Sequence, residues 1–207
     1  MPAPPVPAEP APRRTPTRFT RAELESFRDA RVPDLLPGAG DPPLRLLFVG
    51  INPGLWTAAT QTHFAYPGNR FYPALLEAGI VTQRIDPAAG MTDDDRRHLR
   101  SRGIGISNVA PRATAKASEL STEELREGGT ALRALVEREA PRVVAVAGIT
   151  AYRTAFSLPK AVPGRQPEPW GASELWVVPN PSGLNAHETV ASLAVAYGEA
   201  ARAAGVV

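Results

Sequence analysis

The chain has 207 residues, 23 Lys+Arg against 21 Asp+Glu for a formal charge of +2, three histidines and no cysteine. That length suits one α/β domain with tails, and the lack of cysteine excludes disulfides, thiol nucleophiles, Cys-zinc sites and iron–sulfur clusters. His63, His98 and His187 lie far apart without metal-ligand spacing, so no metal is expected, and no apolar run approaches the ~20 residues of a membrane span.

Met1 to Thr20 is rich in proline and alanine, has no apolar stretch of the secretory kind, and is expected to be a disordered tail ahead of a domain over 21–207. A cytoplasmic protein is expected on that basis. Thr20-Arg21-Ala22-Glu23 has the pattern of a capping box opening a short helix to about Asp29. Pro33 to Pro43 reads as a loop. Leu44 to Val49 is an almost continuous apolar run between Pro42-Pro43 and Gly50, the pattern of a strand covered on both faces. Trp56 to Arg70 reads as a long polar-aromatic loop, and loops of that length are often functional. A helix is expected over Arg70–Ala78, ended by Gly79, and a charged surface helix over Thr92–Arg102.

Ile104 to Val109 reads as a second buried strand. Ser121-Thr122-Glu123-Glu124 has cap chemistry, and Leu125, Leu132, Leu135 and Val136 recur at helical spacing up to Pro141. Val143 to Ala147 is a third strand, Thr150 to Phe156 a helix, and Pro159 to Pro169 a proline-rich loop. Leu175 to Val178 is a fourth strand, and an Ala-rich helix closes the chain over His187–Ala204. Strands alternating with helices at this spacing point to a single-domain, three-layer α/β/α fold. Its central sheet is mainly parallel, four-stranded, and wound by right-handed crossovers.

Two strands end in turns of similar chemistry, Gly50-Ile51-Asn52-Pro53-Gly54 and Pro179-Asn180-Pro181-Ser182-Gly183-Leu184-Asn185. In open α/β sheets ligands sit beyond the carboxyl ends of the strands, which would place both turns at one site. Asn52 can both donate and accept hydrogen bonds there, although an asparagine in a turn can equally serve only as its cap. Leu184 has no strand or helix face to bury into. It either folds back onto the core or stands out as a wedge of the kind that enters a base stack. No P-loop, no Gly-x-Gly-x-x-Gly and no Gly-x-Ser-x-Gly elbow is present. Only two of the basic residues are lysines, Lys116 and Lys160, both in loops. The excess of arginine suits phosphate recognition, and a GC-rich genome gives the same bias.

Taken together, Gly50-Ile51-Asn52-Pro53-Gly54 and Asn180-Pro181-Ser182-Gly183-Leu184 resemble the signature of the mismatch-specific uracil-DNA glycosylases, the bacterial uracil/thymine mismatch branch of the uracil-DNA glycosylase superfamily. Phe64-Ala65-Tyr66-Pro67-Gly68-Asn69-Arg70-Phe71-Tyr72, Glu119-Leu120, Glu124-Leu125, Gly128-Gly129 and Trp176-Val177-Val178-Pro179 follow the same pattern. The likeness runs collinearly from roughly Leu44 to Ala201.

The resemblance implies monofunctional hydrolysis of the N-glycosidic bond to uracil, with etheno-cytosine and thymine as further candidate bases, mismatched with guanine and flipped out of double-stranded DNA. It implies this as the first step of base-excision repair, with no cofactor, no metal and a monomeric enzyme. Asn52 would orient the attacking water. Gly50, Ile51, Phe64, Asn69 and Asn108 would form the base pocket, Phe64 as the stacking platform. Asn180, Pro181, Ser182, Gly183, Leu184 and Asn185 would form the DNA-contacting loop, with Leu184 as wedge and Ser182 against a phosphate. The branch most active on uracil carries an Asp in the first motif and a His opening the second. Asn52 and Asn180 stand there in this chain, so a slower enzyme that depends on a weakened base pair is expected. Asn185-Ala186-His187 after the wedge departs from relatives that carry Ser or an Arg-containing stretch, which leaves preference for guanine opposite open. The alternatives are a glycosylase for another deaminated base such as hypoxanthine or xanthine, a weakly catalytic mismatch- or abasic-site-binding protein, and a small-molecule-binding doubly wound domain.

Overall fold

The computed structural model describes residues 18–207. Five strands form one sheet: β1 (Leu46–Gly50), β2 (Ile104–Asn108), β3 (Val143–Ala147), β4 (Gly164–Arg165) and β5 (Glu174–Val178), in the order β2-β1-β3-β5-β4. The pairs β1–β2, β1–β3 and β3–β5 are parallel, and β4 joins β5 antiparallel through Gly164↔Val177 and Arg165↔Trp176. The sheet therefore has five strands where the sequence suggests four. β4 is two residues long inside the proline-rich stretch, too short to show a period and with Pro163 adjoining it, a composition that reads as loop.

Alternate residues of the central strands feed two cores. Leu46, Phe48, Val143 and Ala145 pack on one face with α3 (Phe71–Glu77), α4 (Asp93–Ser101) and α7 (Val190–Ala204). Leu47, Val49, Val144 and Val146 pack on the other with α5 (Thr122–Glu139) and α6 (Ile149–Ala155). All five residues of β1 are buried, each large side chain contributing ~1.5–3 kcal/mol by leaving water. These two cores make the three layers.

The helices start where their caps are. Thr20, Thr92, Ser121 and Thr189 each close a capping box, opening α1 (Arg21–Glu25), α4, α5 and α7. The last helix thus begins at Val190, three residues after the His187 expected, because Thr189 and not an earlier residue satisfies the first turn. Another difference is α2 (Leu55–Thr60), inside the stretch read as loop. Its N-cap is Gly54, with no side-chain cap bond to mark it, and it is held by burying Leu55, Thr57 and Ala58. The first helix ends at Glu25; the turns that follow reach Asp29, which stands at φ 63°. The expectation of disorder over 1–20 falls largely on residues 1–17, which lie outside the described residues. Of the other three, Thr20 is the cap of α1 and Phe19 sets its ring edge-on against Trp56 at 4.9 Å.

Candidate active site

The parallel ladder puts the carboxyl ends of β1, β3 and β5 side by side, and a cleft of about 1160 Å³ opens over them. Gly148, just after β3, separates the two signature turns. A Cβ there would lie 3.4 Å from Ile51 Cδ1 and 3.6 Å from Asn180 Nδ2, and its φ of 111° suits glycine. The first and last long strands thus bring Asn52 and the 179–185 loop to one cleft, as the two turns suggested.

Asn52 is half-buried and its amide is oriented by its neighbours. Nδ2 donates to Thr114 Oγ1 (2.7 Å), the Arg112 carbonyl (3.0 Å) and the Pro53 carbonyl (3.1 Å). The two carbonyls can only accept. The Thr114 hydroxyl spends its proton on the Lys116 carbonyl (2.9 Å), so it too accepts from Asn52. The amide nitrogen is therefore fixed inward, and Oδ1, which makes no hydrogen bond among the described residues, is the end left for a ligand in the cleft that Asn52 lines.

Phe64 lines the same cleft at φ 55°, with one face stacked on Phe71 (centroids 4.1 Å apart, planes at 25°). A left-handed backbone at an aromatic residue is strained, and the preceding residue is pinned from three sides. His63 donates from Nε2 to the Pro33 carbonyl (3.0 Å), its Nδ1 accepts from Asn108 Nδ2 (3.1 Å), and its own carbonyl accepts from the Tyr72 hydroxyl (2.9 Å). A carbonyl partner at Nε2 makes Nδ1 the acceptor nitrogen of a neutral ring. Burial holds the His63 pKa below its ordinary value, outweighing the Pro33 bond and Asp34, which act the other way. Desolvation likewise pushes the Tyr72 phenol up.

Asn108 sits behind the cleft wall. Its Oδ1 lies 2.5 Å from where a Gly50 Cβ would stand, with Phe64 Cζ 3.2 Å from that point. Gly50 thus makes room for both side chains. Asn108 borders a smaller cavity of about 270 Å³ and is absent from the lining of the main cleft, where Gly50, Ile51, Phe64 and Asn69 are found. Asn69, which lines the cleft, uses Oδ1 to accept from Phe71 N (2.9 Å) at the start of α3, leaving its amide nitrogen uncommitted among the described residues.

The 179–185 loop is a self-bonded turn. Asn180 Oδ1 accepts from Ser182 N (3.0 Å), Ser182 Oγ from Leu184 N (3.3 Å), and the Asn180 carbonyl from Asn185 Nδ2 (3.2 Å). Pro181 is buried, and Leu184 stands out at 93% exposure, so it does not fold back onto the core. The Ser182 hydroxyl proton has no acceptor among the described residues. Arg70, to which the sequence reading gave no role of its own, holds this loop: its guanidinium donates to the carbonyls of Asn185 (2.9 Å), Glu188 (2.8 Å) and Gly183 (3.4 Å), and its backbone N to Pro181 (3.0 Å). Gly183 approaches Gly68 so closely that a Cβ would lie 2.5 Å from the Gly68 carbonyl oxygen.

Three further features were not read from the sequence. Thr114 orients Asn52 across 62 residues of chain, a contact no local pattern signals. Lys116, set aside as a loop lysine, lines the cleft. So do Arg21, Leu24, Glu25 and Arg28 of the N-terminal segment. Among the described residues no group of three His, Asp or Glu is arranged to hold a metal, and no helix is long and apolar enough to cross a membrane.

Comparisons with known proteins bear on the family and the fold. The family model described as the uracil DNA glycosylase superfamily matches residues 37–199. A solution NMR structure of a candidate uracil DNA glycosylase from Methanosarcina acetivorans is similar in fold at a TM-score of 0.53 and 18% identity, the match covering 81% of this chain and 97% of that one. The matched region holds both signature turns, Phe64 and the Arg112–Thr114 segment that orients Asn52, and the chain belongs to the uracil DNA glycosylase superfamily, as a DNA N-glycosylase.

Proposed function

We propose that this enzyme is a monofunctional glycosylase that extrudes uracil from mismatches with guanine and hydrolyses its N-glycosidic bond. The observation that carries this reading is the Asn52 amide, fixed by three acceptors so that Oδ1 remains for a water in the cleft. An amide is a weak base. It suffices when the bond to the base is largely broken before water adds, because the water then needs orientation more than deprotonation. The sugar gains positive charge and the departing uracil negative charge, and oriented backbone N–H groups of the turns are suited to holding the latter.

The other parts follow. The extruded base stacks on the free side of Phe64, whose other face rests on Phe71. Leu184, fully projecting, fills the gap left in the duplex, and the free Ser182 proton meets a phosphate. With an amide at position 52 in place of a carboxylate to activate the water, the enzyme is slow and gains selectivity from pairs that open easily, since extrusion is least costly for a mismatched base.

The test is single-turnover base release from matched duplexes holding U·G, U·A, T·G, etheno-C·G and from single-stranded U. U·G released well ahead of U·A supports the reading; equal rates refute the dependence on a weakened pair. Because Lys116 lines the cleft, borohydride trapping is the second arm. A trapped covalent adduct would overturn hydrolysis without a Schiff base.

A further inference from the structure

The segment ahead of the matched family region is built into the cleft. Arg21, Leu24, Glu25 and Arg28 line it, although the family match begins only at residue 37. The attachment is extensive. Asp29 N donates to the Ala113 carbonyl (3.0 Å), Ala113 N donates to the Ala30 carbonyl (3.0 Å), and Arg31 bridges antiparallel to Arg112. Arg112 ion-pairs with Asp29 (2.8 Å), and Arg28 with Glu119 and Glu25. Leu24, Phe27 and Ala30 pack against Val32, Leu55, Ala58 and Ala113, and Phe19 lies edge-on to Trp56. The segment is therefore a fixed wall, joined to the same 112–114 stretch that orients Asn52.

The charges on this wall are unevenly matched. Its cleft-lining carboxylates, Glu25 and Glu119, are both taken by Arg28. Arg21 and Lys116, exposed and lining the cleft, have no carboxylate partner among the described residues. Ser182, Gly183 and Leu184 line the same cleft. A polyanion entering it meets the wedge loop and two uncommitted cations.

We propose that residues 18–30 are a second DNA-contacting wall added to the family domain, in which Arg21, with Lys116 beside it, takes phosphates of the strand that carries the extruded base. The proposal rests on the DNA glycosylase reading and gives the cleft a grip on both sides of the flipped nucleotide. Phosphate contacts of this kind fix register without reading sequence, and each one removed lowers the salt dependence of binding.

The test is fluorescence-anisotropy binding of a duplex holding a tetrahydrofuran abasic site opposite guanine, as a function of salt, for wild type, Arg21→Ala, Lys116→Ala, the double variant, and Arg142→Ala as control. Arg142 is exposed and lies at the amino end of β3, away from the cleft. The slope of log K against log salt is expected to fall by about 0.9 for each single change and about 1.8 for the pair. Affinity at low salt should drop roughly fivefold to tenfold per change, with the control unmoved. Unchanged slopes in both single variants, with wild type still bound in a salt-dependent way, would overturn the second wall and leave the glycosylase reading intact. Wild type without salt-dependent affinity would overturn both. All the changed side chains are exposed, so folding is not at stake.

Discussion

Gly183→Ala isolates the position of the wedge from the chemistry. The new Cβ would stand 2.5 Å from the Gly68 carbonyl oxygen, about 0.9 Å short of the 3.4 Å at which ordinary contact begins. Neither partner can yield cheaply. The Gly68 side is held by the Asn69 N to Tyr66 carbonyl bond, and the Gly183 side by Arg70 through three carbonyls and a backbone N–H. The loop must shift as a unit, carrying Leu184 with it by up to about an ångström, and displacements of that size cost on the order of a hundredfold in rate where geometry decides. The shift should also lower Tm, since neither partner yields cheaply, and Tm is measured alongside so that the rates are read on folded protein. The assay is single-turnover release from a U·G duplex and from single-stranded uracil DNA. Duplex release should fall roughly a hundredfold, with the single-strand rate changed much less, because no gap opposite needs filling. A duplex rate within about twofold of wild type would refute the coupling of loop position to extrusion.

Three further predictions use other contacts. Thr114→Val keeps the shape but removes the acceptor for Asn52 Nδ2 and the donor to the Lys116 carbonyl; release should slow about tenfold and stability should fall by about 1–3 kcal/mol in denaturant unfolding. Arg70→Met removes the guanidinium bonds to the wedge loop and should lower duplex excision while sparing single-stranded substrate, read from the ratio of the two rates. His63 is held neutral with its pKa below 6.5 in the folded chain. The unfolded chain therefore binds the proton more readily, and the associated stability is full above that pH and is lost as pH falls through the folded value. Tm should decline below about pH 6.5, and His63→Gln, which can still donate to Pro33 and accept from Asn108, should flatten that decline.

The fold was legible where sequence pattern and tertiary burial agree. Leu46–Val49 and Val143–Ala147 are continuous apolar runs because both sheet faces are covered, and Ser121-Thr122-Glu123-Glu124 marks α5 because the capping box is a local contact. α2 escaped because Gly54 caps it without a side chain, and β4 because two residues carry no period. In the site, Asn52 and Leu184 stand on strand-end turns, and Phe64 on the polar-aromatic loop between α2 and α3, segments whose composition could be read along the chain. Thr114, Arg70 and Arg21 could not. Each acts on residues brought close only by folding, and none belongs to a local pattern that names its partner. Asn108 was legible as a polar strand end, but its direction was not: only the neutral His63 ring beside it shows that its amide nitrogen is committed behind the cleft wall.

Glu124 shows how the surroundings of Asn52 are braced from outside. Bonds from Arg112, then from Ser121, hold its pKa at about 2, so the carboxylate stays charged across the physiological range and keeps Arg112 in place while the Arg112 carbonyl accepts from Asn52.

The central claim is that Asn52 orients the water that replaces the base. Its most direct test is single-turnover uracil release from a U·G duplex by wild type and Asn52→Ala, with binding of an abasic duplex measured alongside. The account predicts that release is lost by several orders of magnitude while the abasic duplex is still bound. Release at a near wild-type rate in the variant would contradict it.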